Sequence, residues 1–390
     1  MTANTSRKQR MVDTFKKLYG KEPDSWVRAP GRGELIGTDT DDNYGYVLTM
    51  AIHLDTWIAF SKSGDDKAKI YSLNMNEQTE FPLRGDYGSV EKKWDRYVNG
   101  VAEILSGEGY KLAGVNAVID GAIPIGGGLS SSASLEAACS LMFQSAGGFS
   151  LDPKETALYC QQAENRCVGV MCGILDQYTS IFGRTGSALL LDCRSLTHIL
   201  VKIPSDLSVV ICDTNVPHTL VSSEYGNRRK ECEEAARILS GINPEIVNLR
   251  DVNPKMFEAM KGALPDVNRK RARFIVEENQ RVMDFTAAMV RDDRPVMRKL
   301  CEGSFAGMRD LYEKTVPEME RMFESMMSAP GIVCARQSGG GFGGCMISLV
   351  EKNKVEAYAD HIKKSYKEKT GIETSIYVTQ PSDGAGELSI

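Results

Sequence analysis

The chain lacks the features that would place it in a membrane, in a secretory pathway or on a nucleic acid. No apolar run approaches the roughly 20 residues that a helix needs to span a bilayer. Residues 1–17 are polar and basic without an apolar centre, so we expect no secretory signal. The formal net charge of the 390 residues is −5, which argues against a broad surface for nucleic acid. We therefore expect no membrane partner and no nucleic-acid partner.

The chain also lacks a Cys-x-x-Cys pair and a cluster of cysteine with histidine. Its 10 cysteines are scattered, and most lie in apolar surroundings such as residues 190–193 and 209–212. Cys160, Cys167 and Cys172 form the only cluster, and no histidine accompanies them. These features predict reduced, buried thiols in a cytoplasmic protein, rather than a metal site or a disulfide framework.

A phosphate loop of the form G-x-x-x-x-G-K-[ST] is absent, yet one stretch combines glycine and serine before a helical pattern. An apolar strand pattern over residues 115–119 leads to a turn at Pro124, then to three glycines and three serines, and then to a helical run over 133–143. Glycine lets the backbone approach an anion, and a helix N-terminus presents free N–H groups. Serine hydroxyls bind phosphate oxygens or hydrated magnesium. By itself, the stretch fits a plain glycine turn with a serine cap equally well.

The length of the chain predicts two domains, because 390 residues exceed one compact core. Helical patterns cover 7–19, 94–105, 153–168, 224–240, 268–291, 295–301, 307–327 and 354–368. Strand patterns cover 47–52, 56–61, 70–73, 115–119, 188–192, 207–212, 332–335, 345–350 and 374–378. This mixture is typical of an α+β fold, with a junction near residue 203. A second glycine-rich loop, residues 338–344, predicts a cleft between the domains that closes on a ligand.

An acidic loop and two aromatic residues complete the candidates. Residues 30–45 carry the cation Arg32 and several carboxylates, which is compatible with a solvated loop, a calcium site or a polyol site. The EF-hand pattern is absent from this loop. Trp94 and Tyr97 recur at helical spacing, which by itself favours packing in a core.

Taken together, these stretches resemble the GHMP kinase superfamily, and most closely its galactokinase branch, over nearly the whole chain. Three motifs match in order: Pro30-Gly-Arg with Leu35-Ile-Gly, Pro124-x3-Gly-Leu-Ser-Ser-Ser-Ala133, and Ser338-Gly-Gly-Gly-Phe-Gly-Gly344. Shorter matches occur at 163–164, 172–177, 191–196, 222–225 and 380–384. Three ordered motifs at family-like separations are far more specific than any one of them.

The resemblance implies a two-domain α+β GHMP kinase fold with the active site in the interdomain cleft. Residues 1–203 would form the N-terminal domain with the phosphate loop 124–134, and 204–390 the C-terminal domain with the glycine-rich loop 338–344. The implied reaction is ATP-dependent phosphorylation of the anomeric hydroxyl of a monosaccharide, galactose or a related aldose, with Mg²⁺. The products would be the sugar 1-phosphate and ADP.

The resemblance also implies residue roles. Asp176 and Arg32 would be the catalytic pair, with Asp176 accepting or orienting the hydroxyl proton and Arg32 offsetting negative charge. The implied nucleotide contacts are Gly126, Gly127, Gly128, Ser130, Ser131, Ser132, Trp94 and Tyr97. The implied sugar contacts are Thr38, Asp39, Asp41, Gly173 and Tyr225. Ser132 and Glu164 would meet magnesium, which helps to neutralise the transferring phosphoryl group.

The first motif departs from the galactokinase pattern at its sugar-reading end. Galactokinases usually continue Gly-Glu-His-Thr-Asp-Tyr, whereas this chain has Gly37-Thr-Asp-Thr-Asp-Asp42. Thr38 and Asp39 thus replace the Glu and His that usually face the sugar C6 hydroxyl, while Asp41 is kept. We expect intact kinase machinery and a weaker preference for D-galactose over relatives such as L-arabinose. The added carboxylates predict neutral or cationic sugars rather than anionic ones.

Two other functions remain open at this point. One is a non-catalytic sugar and ATP sensor, as occurs among transcriptional inducers related to galactokinases. Such sensors can lack residues of the serine loop, whereas residues 129–133 and Asp176 are both present here. The other is a GHMP kinase for a non-sugar alcohol, against which the tail 380–384 and residues 222–225 argue.

Overall fold

The computed structural model describes residues 3–84, 94–216 and 221–388. These residues form two β-sheets and the helices packed against them. The strands are β1 (Ser25–Ile36), β2 (Tyr46–Lys62), β3 (Lys67–Ser72), β4 (Glu77–Pro82), β5 (Val115–Gly121), β6 (Ser187–Asp192), β7 (Thr197–Lys202), β8 (Leu207–Asp213), β9 (Ile332–Gln337), β10 (Cys345–Glu351), β11 (Ser375–Thr379) and β12 (Gly386–Glu387). The α-helices are α1 (Ala3–Tyr19), α2 (Asp95–Gly107), α3 (Ser131–Gly147), α4 (Pro153–Gln162), α5 (Leu175–Phe182), α6 (Val221–Ser240), α7 (Pro254–Met260), α8 (Asp266–Val290), α9 (Arg294–Gly307), α10 (Pro317–Met327) and α11 (Val355–Thr370).

The first sheet is organised around the long strand β2. Its strand order is β12-β1-β2-β5-β3-β4, and β6 joins β2 and continues to β7. The second half of β2 pairs with β5, and its first half pairs with β6. Both neighbours lie along the edge of β2 that faces away from β1. Strands β3 and β5 are parallel, and the other pairs in this sheet are antiparallel.

The second sheet is antiparallel and shares a core with the first. Its strand order is β11-β8-β10-β9. Leu48 and Met50 of β2 belong to the same buried cluster as Ile211 of β8, Ile347 of β10 and Val282 of α8. The apolar faces of both sheets are therefore removed from water together, which is the main driving force for docking the two halves.

The chain passes from the first sheet to the second between β7 and β8, close to the predicted junction. Strand β12 nevertheless returns to pair with β1, and Pro381 bridges to Ile52. The division into 1–203 and 204–390 stays a prediction, because the last residues pack with the first half.

Several predicted elements have different bounds in the structure. Residues 30–36, predicted as a loop, are the end of β1, and the patterns 47–52 and 56–61 are one strand. The helix predicted over 307–327 is wrong as one element, because a π-helix at Met308–Tyr312 ends at Glu313 with φ 58° and α10 begins at Pro317. The residue before a proline is disfavoured in helical conformation, which explains the break.

The helix predicted over 153–168 also changes type within its length. Asp152 caps α4 through a capping box with Glu155, as its position before Pro153 indicates. Helix α4 ends at Gln162, and a π-helix continues over Ala163–Val168. Such π-turns are often found at functional sites, and this one carries Glu164.

Candidate active site

A cavity of about 660 Å³ lies between the two glycine-rich loops. Its lining includes most of the predicted site residues, namely Arg32, Thr38, Asp39, Asp41, Trp94, Tyr97, Gly126, Gly128, Ser130, Ser131, Ser132, Glu164, Gly173 and Asp176. Gly339 and Gly340 of the second half also line it. The volume falls within the range of pockets that enclose small-molecule ligands.

Two predicted residues, Gly127 and Tyr225, are not among the described residues that line the cavity. Gly127 does not line the cavity, because its carbonyl oxygen accepts a hydrogen bond from the N–H of Cys345 at 3.0 Å. This bond ties the phosphate loop to β10. The side chain of Tyr225 lies outside the described residues, although the neighbouring Gly226 lines the cavity.

Asp176 lies at the start of α5 and is held by a cation and a hydroxyl. Arg32 donates from Nε to Oδ1 at 2.7 Å and from Nη2 to Oδ2 at 3.1 Å. The hydroxyl of Ser130 donates to Oδ2 at 2.5 Å. The side chain of Arg32 is only 6% exposed, whereas that of Asp176 is 26% exposed and so remains accessible to a ligand. A bidentate guanidinium–carboxylate pair fixes both the position and the orientation of the carboxylate.

Ser130 adopts a backbone conformation that is unusual for a serine. It precedes α3 with φ 60° and ψ 47°, in the left-handed region, and its hydroxyl makes no capping bond to the helix. The hydroxyl instead contacts Asp176. A non-glycine residue in this region carries strain, which is common where a side chain must be aimed at a ligand. Helix α3 also has no acidic residue in its first turn, so the free N–H groups at its N-terminus have the polarity that suits an anion.

The two glycine-rich loops pack against each other through their backbones. A Cβ atom added at Gly339 would lie 2.7 Å from the carbonyl oxygen of Gly128, so only glycine fits there. Gly128 and Gly339 both have positive φ, 71° and 85°. The C-terminal loop therefore lies directly beside the phosphate loop, and both contribute to the cavity wall.

Two buried carboxyl groups, those of Glu136 and Glu164, meet at the side chain of Gln177. Gln177 donates from Nε2 to Glu136 at 3.0 Å and to Glu164 at 2.7 Å. Burial, with the nearby charge of Asp176, raises the pKa of Glu164 to about 7, although hydrogen bonds from Cys172, Ser132 and Gln177 oppose the rise. Burial and the charge of Glu164 raise the pKa of Glu136 well above its usual range. A proton bound to one of these two carboxyl groups removes the charge repulsion between them.

Trp94 and Tyr97 line the part of the cavity formed by α2. The indole N–H of Trp94 donates to Glu77 Oε2 at 3.0 Å, which fixes its ring plane. Burial raises the pKa of Tyr97, so its hydroxyl stays protonated at neutral pH. Ile119, Ile123 and Leu135 line the same cavity and supply an apolar surface suited to a flat ring.

The loop over residues 37–42 presents Asp41 and Asp39 at the cavity. A Cβ atom at Gly173 would overlap the carboxylate of Asp41, so glycine at 173 is what allows Asp41 its place. Burial raises the pKa of Asp41 well above its usual range, and the charges of Asp42 and Glu34 add to the rise. A ligand hydroxyl group that donates to Asp41 would offset this loss of solvation.

Two buried cations lie behind this loop. Lys314 donates to Asp39 Oδ1 at 2.5 Å, and Arg336 donates to the hydroxyl of Thr38. Neither of these residues was predicted from the sequence as part of the site, and Glu136 was not predicted either. Arg336 left one signal, because it is a charge in a strand pattern just before the glycine-rich loop. Lys314 left none, because it fell in the wrongly predicted helix.

Comparison with known proteins places the chain in a family. Residues 13–62 match the galactokinase galactose-binding signature, 96–184 the GHMP kinases N terminal domain and 286–368 the GHMP kinases C terminal domain. A galactokinase of Roseiflexus sp. (strain RS-1) is 38% identical over 384 residues, covering 97% of this chain and 98% of that protein. The chain belongs to the galactokinase family.

Solved structures agree with membership of the galactokinase family. The crystal structure of Lactococcus lactis galactokinase complexed with galactose superposes with a TM-score of 0.91 at 32% identity, covering 97% of this chain and 98% of that one. A D-glycero-D-manno-heptose 1-phosphate kinase from Bacteriodes thetaiotaomicron has a TM-score of 0.62 at 15% identity, and this likeness shows the fold alone. The resemblance and the GHMP kinase fold inferred from the sequence are thus confirmed.

Family membership leaves the residue roles of this galactokinase-family chain as predictions. The comparisons match segments and whole chains, and they assign no side chain. Among the described residues, no helix has the length and apolar character needed to cross a membrane.

Proposed function

We propose that this galactokinase-family protein transfers the γ-phosphoryl group of ATP to the anomeric hydroxyl of D-galactose or a closely related aldose. The products are the sugar 1-phosphate and ADP. The observation that carries the proposal is the position of Asp176, a partly exposed carboxylate fixed by Arg32 and Ser130 beside the N-terminus of α3. A proton acceptor and an anion site thus share one cavity, as phosphoryl transfer to a hydroxyl requires.

Asp176 acts on the attacking hydroxyl. It accepts or orients the proton of that hydroxyl, and Arg32 offsets the negative charge that builds up between the sugar oxygen and the phosphate. Ser130 holds the second carboxylate oxygen, so that the accepting lone pair keeps one direction. The N–H groups at the start of α3, with the hydroxyls of Ser131 and Ser132, bind the phosphates.

The residues that would hold magnesium are Ser132 and Glu164. Both residues line the cavity, and the nearby hydroxyl of Ser132 lowers the pKa of Glu164. Hydroxyl and carboxylate oxygens are ligands that Mg²⁺ accepts, and this ion is commonly bound by one or two protein groups plus substrate phosphates and waters. The donor set therefore fits the ion, which when bound neutralises charge on the phosphates.

The proposed sugar contacts are Asp41, Gly173 and Asp39. Asp41 presents its carboxylate at the cavity only because Gly173 has no side chain. The sequence predicted neutral or cationic sugars because of the added carboxylates. In the structure, however, Asp39 is paired with Lys314, and Asp42 lies 3.8 Å from Arg229. The loop is therefore close to electrically balanced, which favours neutral sugars over both cationic and anionic ones.

A sugar panel with two readouts tests the proposal. We expect ATP-dependent ADP release with D-galactose or one of its neutral relatives, such as L-arabinose or D-fucose. A sugar and ATP sensor would bind both ligands, seen as a thermal shift, without releasing ADP. A GHMP kinase for another alcohol would give neither a shift nor ADP release with any sugar. Either of those outcomes would replace the proposed function.

A further inference from the structure

A buried ion pair joins Asp39, which lines the cavity, to Lys314, which lies behind it. Lys314 Nζ lies 2.5 Å from Asp39 Oδ1, and the two side chains are 0% and 3% exposed. The main chain of Lys314 is fixed as well, since its carbonyl oxygen accepts from the N–H of Phe342 in the glycine-rich loop at 2.9 Å. A buried ion pair regains little or nothing over its cost of desolvation, so stability alone gives weak reason for this one.

The pair occupies only one of the two oxygens of Asp39. Oδ2 is buried and accepts no hydrogen bond in the part of the chain that the structure describes, although Asp39 lines the cavity. A buried acceptor without a donor costs free energy that a ligand hydroxyl recovers on binding. Burial raises the pKa of Asp39, and the charge of Lys314 opposes that rise.

The neighbouring Thr38 and Arg336 hydrogen-bond to other groups of the protein. Arg336 donates to the hydroxyl of Thr38 and, at 3.3 Å, to the carbonyl oxygen of Glu34. Burial raises the pKa of Glu34, and the charge of Arg336 and the nearby Thr38 hydroxyl oppose that rise. The Thr38 hydroxyl is thus already bound to Arg336, whereas Oδ2 of Asp39 accepts no hydrogen bond from the described residues.

We propose that Lys314 is a positioning residue for sugar selection: it holds Oδ1 of Asp39 so that Oδ2 accepts a hydrogen bond from one non-reacting hydroxyl of the sugar. The inference rests on the proposed function, because it assumes that a sugar occupies the cavity. Lys314 also offsets the charge of Asp39, so this part of the cavity suits an uncharged hydroxyl group. A site built around one hydroxyl group rejects analogues that lack it, since its own polar group is then left unpaired.

The test combines protein variants with deoxy sugars. KM and kcat are measured for D-galactose and for its 2-, 3-, 4- and 6-deoxy analogues with the wild type, Lys314→Met and Lys314→Gln. We expect one analogue to have a KM at least about tenfold above that of D-galactose in the wild type. In Lys314→Met, we expect the KM of that analogue to become equal to the KM of D-galactose, and the KM ratios of the other analogues to stay unchanged. The kcat for D-galactose should change by less than about threefold.

Conservative and control variants separate positioning from general damage. Lys314→Gln keeps an N–H donor for Oδ1, so it should retain more of the discrimination than Lys314→Met. Lys270→Met removes an exposed lysine that pairs with the adjacent Glu313, and it should leave every KM ratio unchanged. If the Lys314 single variants do not fold, the same measurements are made on the double variant Asp39→Asn/Lys314→Met. This variant removes both charges of the ion pair and so leaves neither of them buried and unpaired.

The outcomes are distinct. Unchanged deoxy-sugar ratios in a folded Lys314→Met protein, or in the folded double variant, would overturn the inference. A parallel rise of KM for every sugar together with a fall in kcat would also overturn it, because that pattern belongs to a structural role. A wild-type protein that phosphorylates no sugar would refute the proposed function instead.

Discussion

At the scale of single residues, the site depends on side chains that are held by others. Arg32 and Ser130 fix Asp176, and Lys314 fixes Asp39. Gly173 contributes by having no side chain, since a Cβ atom there would overlap the Asp41 carboxylate. Preorganised groups of this kind lower the cost of reaching the reactive geometry.

Gly173→Ala should damage sugar binding selectively. The new methyl group displaces the carboxylate of Asp41, so we expect KM for the sugar to rise about tenfold or more while KM for ATP changes little. Steady-state kinetics with each substrate varied in turn measures this. Gly107→Ala is the matched control, because a Cβ atom at Gly107 meets nothing within 4 Å. Equal kinetics for the two variants would mean that Asp41 does not contact the sugar.

Ser132→Ala should raise the magnesium requirement. Removing the hydroxyl takes away one proposed oxygen ligand beside Glu164, so the ion binds more weakly. A magnesium titration at fixed ATP should shift its midpoint upward several-fold for Ser132→Ala and less for Ser131→Ala. An unshifted titration would leave Ser132 as an ordinary residue of the helix start.

At the scale of elements, α3 and the π-helix at Ala163–Val168 bring two carboxyls together with Gln177 between them. The sequence predicted the position of α3 and the cap of α4, because glycine, serine and Asp152–Pro153 are local signals. It did not predict that Glu136 faces Glu164, nor that Lys314 meets Asp39 from 275 positions away. Periodicity reports which face of an element is buried, but it does not report which distant residue packs there.

The carboxyl pair should make the stability of the ligand-free protein depend on pH. The pKa of Glu164 is raised to about 7 and that of Glu136 is raised well above its usual range, so both carboxyls add stability at low pH that is lost as pH rises through their folded-state pKa values. We expect the melting temperature without ligands to fall between about pH 5 and pH 8. Glu136→Gln should flatten part of that fall, and the exposed Glu245→Gln should not. A rising melting temperature over this range would contradict the assignment.

At the scale of the whole molecule, the two sheets share one buried core. Residues of β2, β8, β10 and α8 share a buried cluster, and β12 closes the first sheet from the far end of the chain. The motifs indicated two halves and a cleft, and the fold class follows from them. The shared core could not be predicted, because it depends on how the apolar faces of separate sheets meet.

The shared core predicts that neither half folds alone. A fragment of residues 1–203 would expose the face that packs on β8 and β10 and would lose β12. We expect this fragment to lack the dispersed amide spectrum of a folded protein, and the full chain to unfold in one transition. A folded fragment, or two separate transitions of the full chain, would show that the halves are independent domains.

The central claim is that Asp176, held by Arg32 and Ser130, acts on the anomeric hydroxyl of a sugar. Single-turnover transfer from ATP to D-galactose or its best-used relative, with the product identified by ³¹P NMR, tests it most directly in the wild type and in Asp176→Asn. We predict a sugar 1-phosphate from the wild type and a rate lower by about 10²–10⁴-fold in Asp176→Asn, with ATP binding unchanged. A variant that keeps more than about a tenth of the wild-type rate, or a product phosphorylated at another hydroxyl, would contradict the account.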